Sequence, residues 1–81
     1  MQSIASELGQ IIRKYRRTAG FSQVELAERS DLHSTYVSLI ERGQYNLTVS
    51  VLRRIGIALK VPAWQLLREA EELTAKEADG G

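Results

Sequence analysis

Eighty-one residues carry a formal net charge of +1, with 43% hydrophobic residues, a single proline and no cysteine. Without cysteine there is no disulfide and no thiolate metal site, and no apolar run approaches the roughly 18 residues of a membrane span. One small domain over residues 1–81 is expected, soluble and cytoplasmic, with little stability to spare because a chain of this size buries only roughly 60% of its unfolded surface.

Ile4, Leu8, Ile11, Ile12 and Tyr15 recur at helical spacing, and Gly20 follows a basic last turn, so a first helix is predicted to stop there. Ser22 and Glu25 form a capping box ahead of Leu26 and Ala27, opening a second helix that runs to about Ser30. After a turn of about three residues, a third helix begins near His33 and ends at Gly43, with Leu32, Val37 and Ile40 on its inner side. Thr48 or Asn46 can cap a fourth helix, whose core stripe is Val51, Leu52, Ile55 and Leu59, with Ala58 at close contacts. Pro62 suits the first turn of a fifth helix, where there is no intrahelical donor to lose. Trp64, Leu66 and Leu67 are the apolar content of that helix, and the polar remainder from Arg68 onward is expected to fray. These elements predict an all-α, compact five-helix fold, with a helix-turn-helix at about residues 22–43 and helices four and five at about 48–76.

Charge is unevenly spread along the chain. Residues 1–60 hold nine Lys/Arg against five acids, whereas residues 61–81 hold two against five. The basic body suits an anionic partner, and the acidic tail offers a possible contact for a protein partner. Within the third helix, Ser34, Thr35 and Ser38 lie between the apolar positions. A merely solvated face is more readily filled with Glu and Lys, which are stronger helix formers. Two short helices joined by a tight turn, the second bearing small hydrogen-bonding side chains, fit the helix-turn-helix pattern. Ala27 is small where the two axes cross, and Asp31 occupies the turn position that favours positive φ, which Asp tolerates better than most residues.

The segments LGQIIRKYRRTAGFSQVELAERSDL, YVSLIERG and LRRIGIALKVPAWQLL together resemble the lambda-repressor-like, XRE-type DNA-binding family, from residue 4 to residue 67. ERGQYNLTV is also similar to the controller proteins of restriction–modification systems. Asp31 stands where the family usually has Gly, and His33 where it usually has Ser or Thr. The resemblance implies a third helix lying in the major groove of double-stranded DNA, with Ser34, Thr35, Ser38 and Leu39 at base edges. Short hydroxyls approach bases closely but discriminate less than a bidentate Arg or Gln, and Leu39 can meet a thymine methyl. Phosphate contacts are implied for Gln23, Arg17, Arg42, Tyr45 and Asn46, with His33 a cap or phosphate neighbour and Tyr36 either core edge or DNA contact. Gln23 also opens a helix, where backbone N–H groups favour an anion. The resemblance further implies an ion pair between Arg16 and Glu41. A homodimer is expected on a near-palindromic operator, with Trp64 in the core or at the dimer seam and Leu67 at or near the seam. Arg53 and Arg54 are expected to face solvent, with phosphate contact the alternative.

No nucleophile–base pair, paired acids or metal-ligand cluster stands out, so no enzymatic activity, metal or cofactor is expected. The function expected is transcription regulation by sequence-specific DNA binding. The alternatives are an antitoxin-type regulator with a protein partner and a helical interaction module that does not touch DNA.

Overall fold

The computed structural model describes residues 4–80, with side chains through residue 77. Residues 1–3 and 81 of the expected 1–81 domain, and the side chain of Asp79 in the acidic tail, lie outside the described part. Five helices follow in order: α1 (Ala5–Thr18), α2 (Gln23–Arg29), α3 (Ser34–Glu41), α4 (Val49–Leu59) and α5 (Ala63–Gly80). No strand occurs among the described residues.

Local chemistry sets the ends of these helices. At α2, Ser22 Oγ accepts from Glu25 N at 3.0 Å while Glu25 Oε1 accepts from Ser22 N at 3.1 Å, completing the reciprocal cap. Thr48, rather than Asn46, caps α4, its Oγ1 accepting from Val51 N at 3.1 Å. His33 takes the N-cap position of α3, but its side chain makes no capping bond. Helices α1 to α4 close in one way, by a long backbone bond over a left-handed residue. The bonds run from Phe21 N to Arg16 O, Leu32 N to Ala27 O, Gln44 N to Leu39 O and Val61 N to Gly56 O, at 2.8–3.0 Å. The left-handed residues are Gly20, Asp31, Gly43 and Lys60, with φ of 79°, 56°, 72° and 59°.

Leu8, Ile12, Leu26, Val37, Ile40, Ile55 and Leu66 form the centre of one core shared by all five helices. Gly9 lets α1 lie directly on α3: a Cβ added there would stand 2.3 Å from Ile40 O. That contact seats the end of α3 against α1, on the helix that also carries Arg16.

The expected fraying of the fifth helix is not what the structure shows. Helix α5 continues to Gly80 because its polar half carries a thin stripe that packs: Ala70 is fully buried, and Leu73 lies against the core. Polar bonds to α1 add to this. Lys14 Nζ donates to Glu69 Oε1 at 3.1 Å, Tyr15 Oη donates to Glu69 Oε2, and Gln65 Nε2 donates to Tyr15 Oη at 3.1 Å. These bonds engage part of the acidic segment within the fold.

The Tyr15 bond is the main reason the Glu69 carboxyl lies below its ordinary value of 4.5; burial opposes the shift, and Lys14 and Gln65 support it. A carboxyl lowered by folding contributes stability above its unfolded pKa, and that contribution is lost as pH falls through the folded value. Glu77 works the other way: its carboxyl is raised, first by desolvation and then by repulsion from and hydrogen bonding with Glu7. Glu69→Gln leaves the Glu77 effect in place and so isolates the contribution of Glu69. Urea midpoints measured between about pH 6 and pH 3 are expected to fall more steeply for the unmodified chain than for Glu69→Gln.

Candidate nucleic-acid interface

Helix α3 has two sides. Val37, Ile40 and Glu41 are buried, whereas Ser34, Thr35, Ser38, Leu39 and Arg42 fall on the outer side at helical spacing. Thr35 is exposed and Ser34, Ser38 and Leu39 are half-buried. The hydroxyls of Ser34, Thr35 and Ser38 make no hydrogen bond among the described residues. The outer side is thus a row of short donors and acceptors open to an external partner.

The inner side is tied down by charge. Arg16 Nε donates to Glu41 Oε2 at 2.6 Å and Nη2 to Glu41 Oε1 at 3.0 Å, a two-pronged pair with side chains 10% and 2% exposed. Arg16 Nη1 also donates to Phe21 O at 2.8 Å, and Gln23 Nε2 to Glu41 Oε1 at 3.1 Å. One guanidinium and one carboxylate thereby join α1, the α1–α2 turn, the start of α2 and the end of α3. Gln23, expected from sequence at a phosphate, has its amide donor engaged inside the fold; its backbone N–H remains at the first turn of α2.

Of the remaining expected phosphate residues, His33, Tyr36, Arg42, Tyr45 and Asn46 lie within α3 or next to it in the chain, and Arg17 lies on α1. Arg42 is exposed beyond the helix end, its Nε 3.4 Å from Ser38 O. Tyr36 and Tyr45 are half-buried and pack ring against ring at 4.4 Å. The Tyr36 hydroxyl is raised above its ordinary value, chiefly through hydrogen bonding with Tyr45, while the charge of Arg54 acts in the opposite direction. Of the two roles that sequence left open, the structure shows the core edge, with part of the Tyr36 ring against the core. His33, Arg17 and Asn46 are exposed. On the outer side of α1, Gln10, Arg13, Lys14, Arg17 and Thr18 line an open groove of about 350 Å³.

Two sequence expectations need correction. Trp64 is 63% exposed, which removes the core alternative, and Leu67 beside it is 38% exposed. Arg54 does not simply face solvent: its Nε donates to Ser30 O at 3.0 Å, its Nη2 donates to Asp31 O, and the Asp31 carboxylate lies 3.6 Å away. The acceptors are backbone carbonyls, which no side-chain pattern reveals. Its only sequence signal was its place beside Ile55, at the margin of the apolar stripe of α4. Arg53 is exposed.

Comparison with known proteins agrees with this geometry: residues 12–63 match the helix-turn-helix family. The chain belongs to the XRE-type helix-turn-helix family. It is 38% identical over 71 residues to a hypothetical transcription factor of Neisseria meningitidis, covering 88% of this chain and 67% of the relative. The crystal structure of the clp gene regulator ClgR from Corynebacterium glutamicum superposes with a TM-score of 0.91 at 29% identity, covering 98% of this chain and 84% of that one. The restriction-modification controller protein C.AhdI from Aeromonas hydrophila gives a TM-score of 0.75 at 34% identity, covering 76% and 94%. Against several regulators the chain spans only part of the relative, 60% of SinR and 49% of SlrR. The family and these relatives are transcription regulators, not enzymes. Among the described residues no helix is long and apolar enough to cross a membrane, and no group of three His, Cys, Asp or Glu side chains is placed to hold a metal.

Arg16 and Arg17 are adjacent, but only Arg16 is buried in an ion pair. Arg16→Ala leaves Glu41 buried without its main partner, at a cost of about 3–5 kcal/mol, whereas Arg17→Ala is expected within about 0.5 kcal/mol of the parent. Thermal melting of the two variants checks this; equal midpoints refute it.

Proposed function

We propose that this chain is a sequence-specific transcription regulator that reads a near-palindromic operator as a homodimer, with α3 in the major groove. The observation that carries the reading is the outer face of α3. Its three hydroxyls are unbonded among the described residues and Leu39 is partly exposed, on a helix whose opposite side is fixed by a buried ion pair. Ser34, Thr35, Ser38 and Leu39 are the base-reading residues. Gln23 through the start of α2, with Arg17, His33, Tyr36, Arg42, Tyr45 and Asn46, is assigned to the phosphates. Such contacts fix register but carry no sequence information themselves.

The test is selection of bound sites from random DNA, followed by single-base variants of the selected operator. Ser34→Ala and Thr35→Ala are expected to change which variants are preferred, by roughly 1–3 kcal/mol at the contacted step or less for a single hydroxyl, with little change in salt dependence. Arg42→Ala is expected to weaken all sequences nearly alike and to reduce the salt slope by about 0.9. Unchanged relative affinities for Ser34→Ala and Thr35→Ala sink the placement of α3.

The homodimer is supported by the outward face of α4 and α5. Val49, Ile57 and Trp64 are 81%, 69% and 63% exposed. Ile57 and Trp64 share an open groove of about 450 Å³ with Arg53, Gly56, Lys60, Val61, Pro62 and Ala63. Large apolar side chains grouped at a surface mark an association site, and a two-fold dimer both covers them and doubles the DNA contact. Recognition helices about 34 Å apart then read half-sites one turn apart. In sedimentation, Ile57→Asp with Trp64→Ala is expected to shift the chain to monomer and to weaken operator binding. A parent chain that stays monomeric at every concentration and on the operator overturns the dimer.

A further inference from the structure

We propose that Arg54 is a positioning residue for DNA recognition: from α4 it clamps the turn between α2 and α3, and so sets the angle at which α3 enters the groove. This rests on the reading of α3 given above, and it assigns a role to a residue outside the helix-turn-helix itself.

Four left-handed residues close α1 to α4, and two of them, Gly20 and Gly43, hold that conformation without a Cβ penalty. Asp31 does not have that freedom, and its turn is the one on which the placement of α3 depends. The last carbonyls of a helix have no intrahelical donor. At the end of α2 the carbonyl of the cap residue, Ser30 O, and that of the next residue, Asp31 O, are taken by Nε and Nη2 of the same guanidinium, with the Asp31 carboxylate 3.6 Å from it. A planar, forked cation at a helix C-terminus satisfies the carbonyls and the negative end of the dipole together. Arg54 thus holds the turn at Ser30 and Asp31, while its own helix is fixed in the core by Val51, Leu52 and Ile55.

Lysine keeps the charge of Arg54 but lacks the fork, so Arg54→Lys and Arg54→Ala are both informative. Affinities are measured for the selected operator and for unrelated DNA, each across a salt series, together with thermal melting. A positioning role predicts that the ratio of operator to unrelated affinity falls about tenfold in both variants, equivalent to ~1.4 kcal/mol. The salt slope stays that of the parent. Glycine at position 31 holds positive φ without help. Asp31→Gly is therefore expected to recover most of the lost ratio when combined with either Arg54 variant, a coupling read from the double-mutant cycle.

Parallel losses on both DNAs with a reduced salt slope identify Arg54 as a direct phosphate contact and overturn the proposal. So does a lowered melting point with an unchanged ratio, or failure of both variants to fold. A parent chain that selects no preferred sequence contradicts the base-reading assignment instead. In that case amide exchange at Leu32, whose N–H bonds Ala27 O, still tests the clamp: faster exchange in the Arg54 variants supports it, and unchanged exchange overturns it.

Discussion

The buried pair between Arg16 and Glu41 is the constraint on which the rest of the structure depends. Removing two charges from water is expensive, and the attraction between them compensates only when every remaining donor and acceptor is used. Here the use is nearly complete. Glu41 takes both prongs of Arg16 and the amide of Gln23, and the third nitrogen of Arg16 bonds Phe21 O. A helix of eight residues cannot hold an orientation by its own backbone bonds, because helices that short are marginal in isolation. Apolar packing by Val37 and Ile40 leaves α3 some freedom to rotate or slide. A bidentate guanidinium does not, since a small rotation breaks both prongs. The absence of a side chain at Gly9, where α1 touches the backbone of Ile40, is what allows the distance to close.

With the inner side of α3 fixed, its outer side can be chemically sparse. Single hydroxyls on Ser34, Thr35 and Ser38 distinguish bases weakly compared with a bidentate Arg or Gln. On the proposed reading, discrimination must therefore come from several weak contacts at once, and weak contacts add only if the helix presents them in fixed register. That requirement explains why so much polar bonding is spent on orientation: the ion pair at one end of α3, the Arg54 bonds at the turn before it, and the Tyr36–Tyr45 packing alongside. A recognition helix carrying one dominant contact tolerates more looseness than one carrying four small ones.

Much of this was legible in the sequence because the signals are local. Gly20 and Gly43 stop α1 and α3, the Ser22–Glu25 box starts α2, Thr48 starts α4, and the apolar stripes give the inner faces. What was missed is tertiary. The distal half of α5 reads as a solvated run, since Ala70 and Leu73 are a thin stripe among charges and Glu69 bonds Lys14 and Tyr15 more than fifty residues away. Arg54 reads as solvent-facing because its partners are main-chain carbonyls, which every residue carries and no pattern distinguishes. The bond from the Gln23 amide to Glu41 is equally hidden, because it joins residues eighteen apart in the chain. The exposure of Trp64 was equally invisible, because an aromatic at helical spacing fits a core as well as a seam.

The two outward tasks of α4 bear on each other. Val49, Arg53, Ile57 and Lys60 lie on its exposed side, Leu52, Ile55 and Leu59 on its core side, and Arg54 at the margin reaches the helix-turn-helix turn. In a two-fold dimer built on the exposed side, the spacing between two recognition helices is fixed by how α4 sits against its copy. On the role proposed for Arg54, the tilt of each α3 depends on what α4 holds through that side chain. Both quantities are then set by one rigid element of eleven residues. A displacement of α4 at the seam moves the guanidinium by a comparable distance, and hydrogen bonds of about 3 Å tolerate little of that before they weaken. Half-site spacing and groove entry are on this reading coupled through a single helix, which makes dimer geometry a determinant of base recognition as well as of affinity.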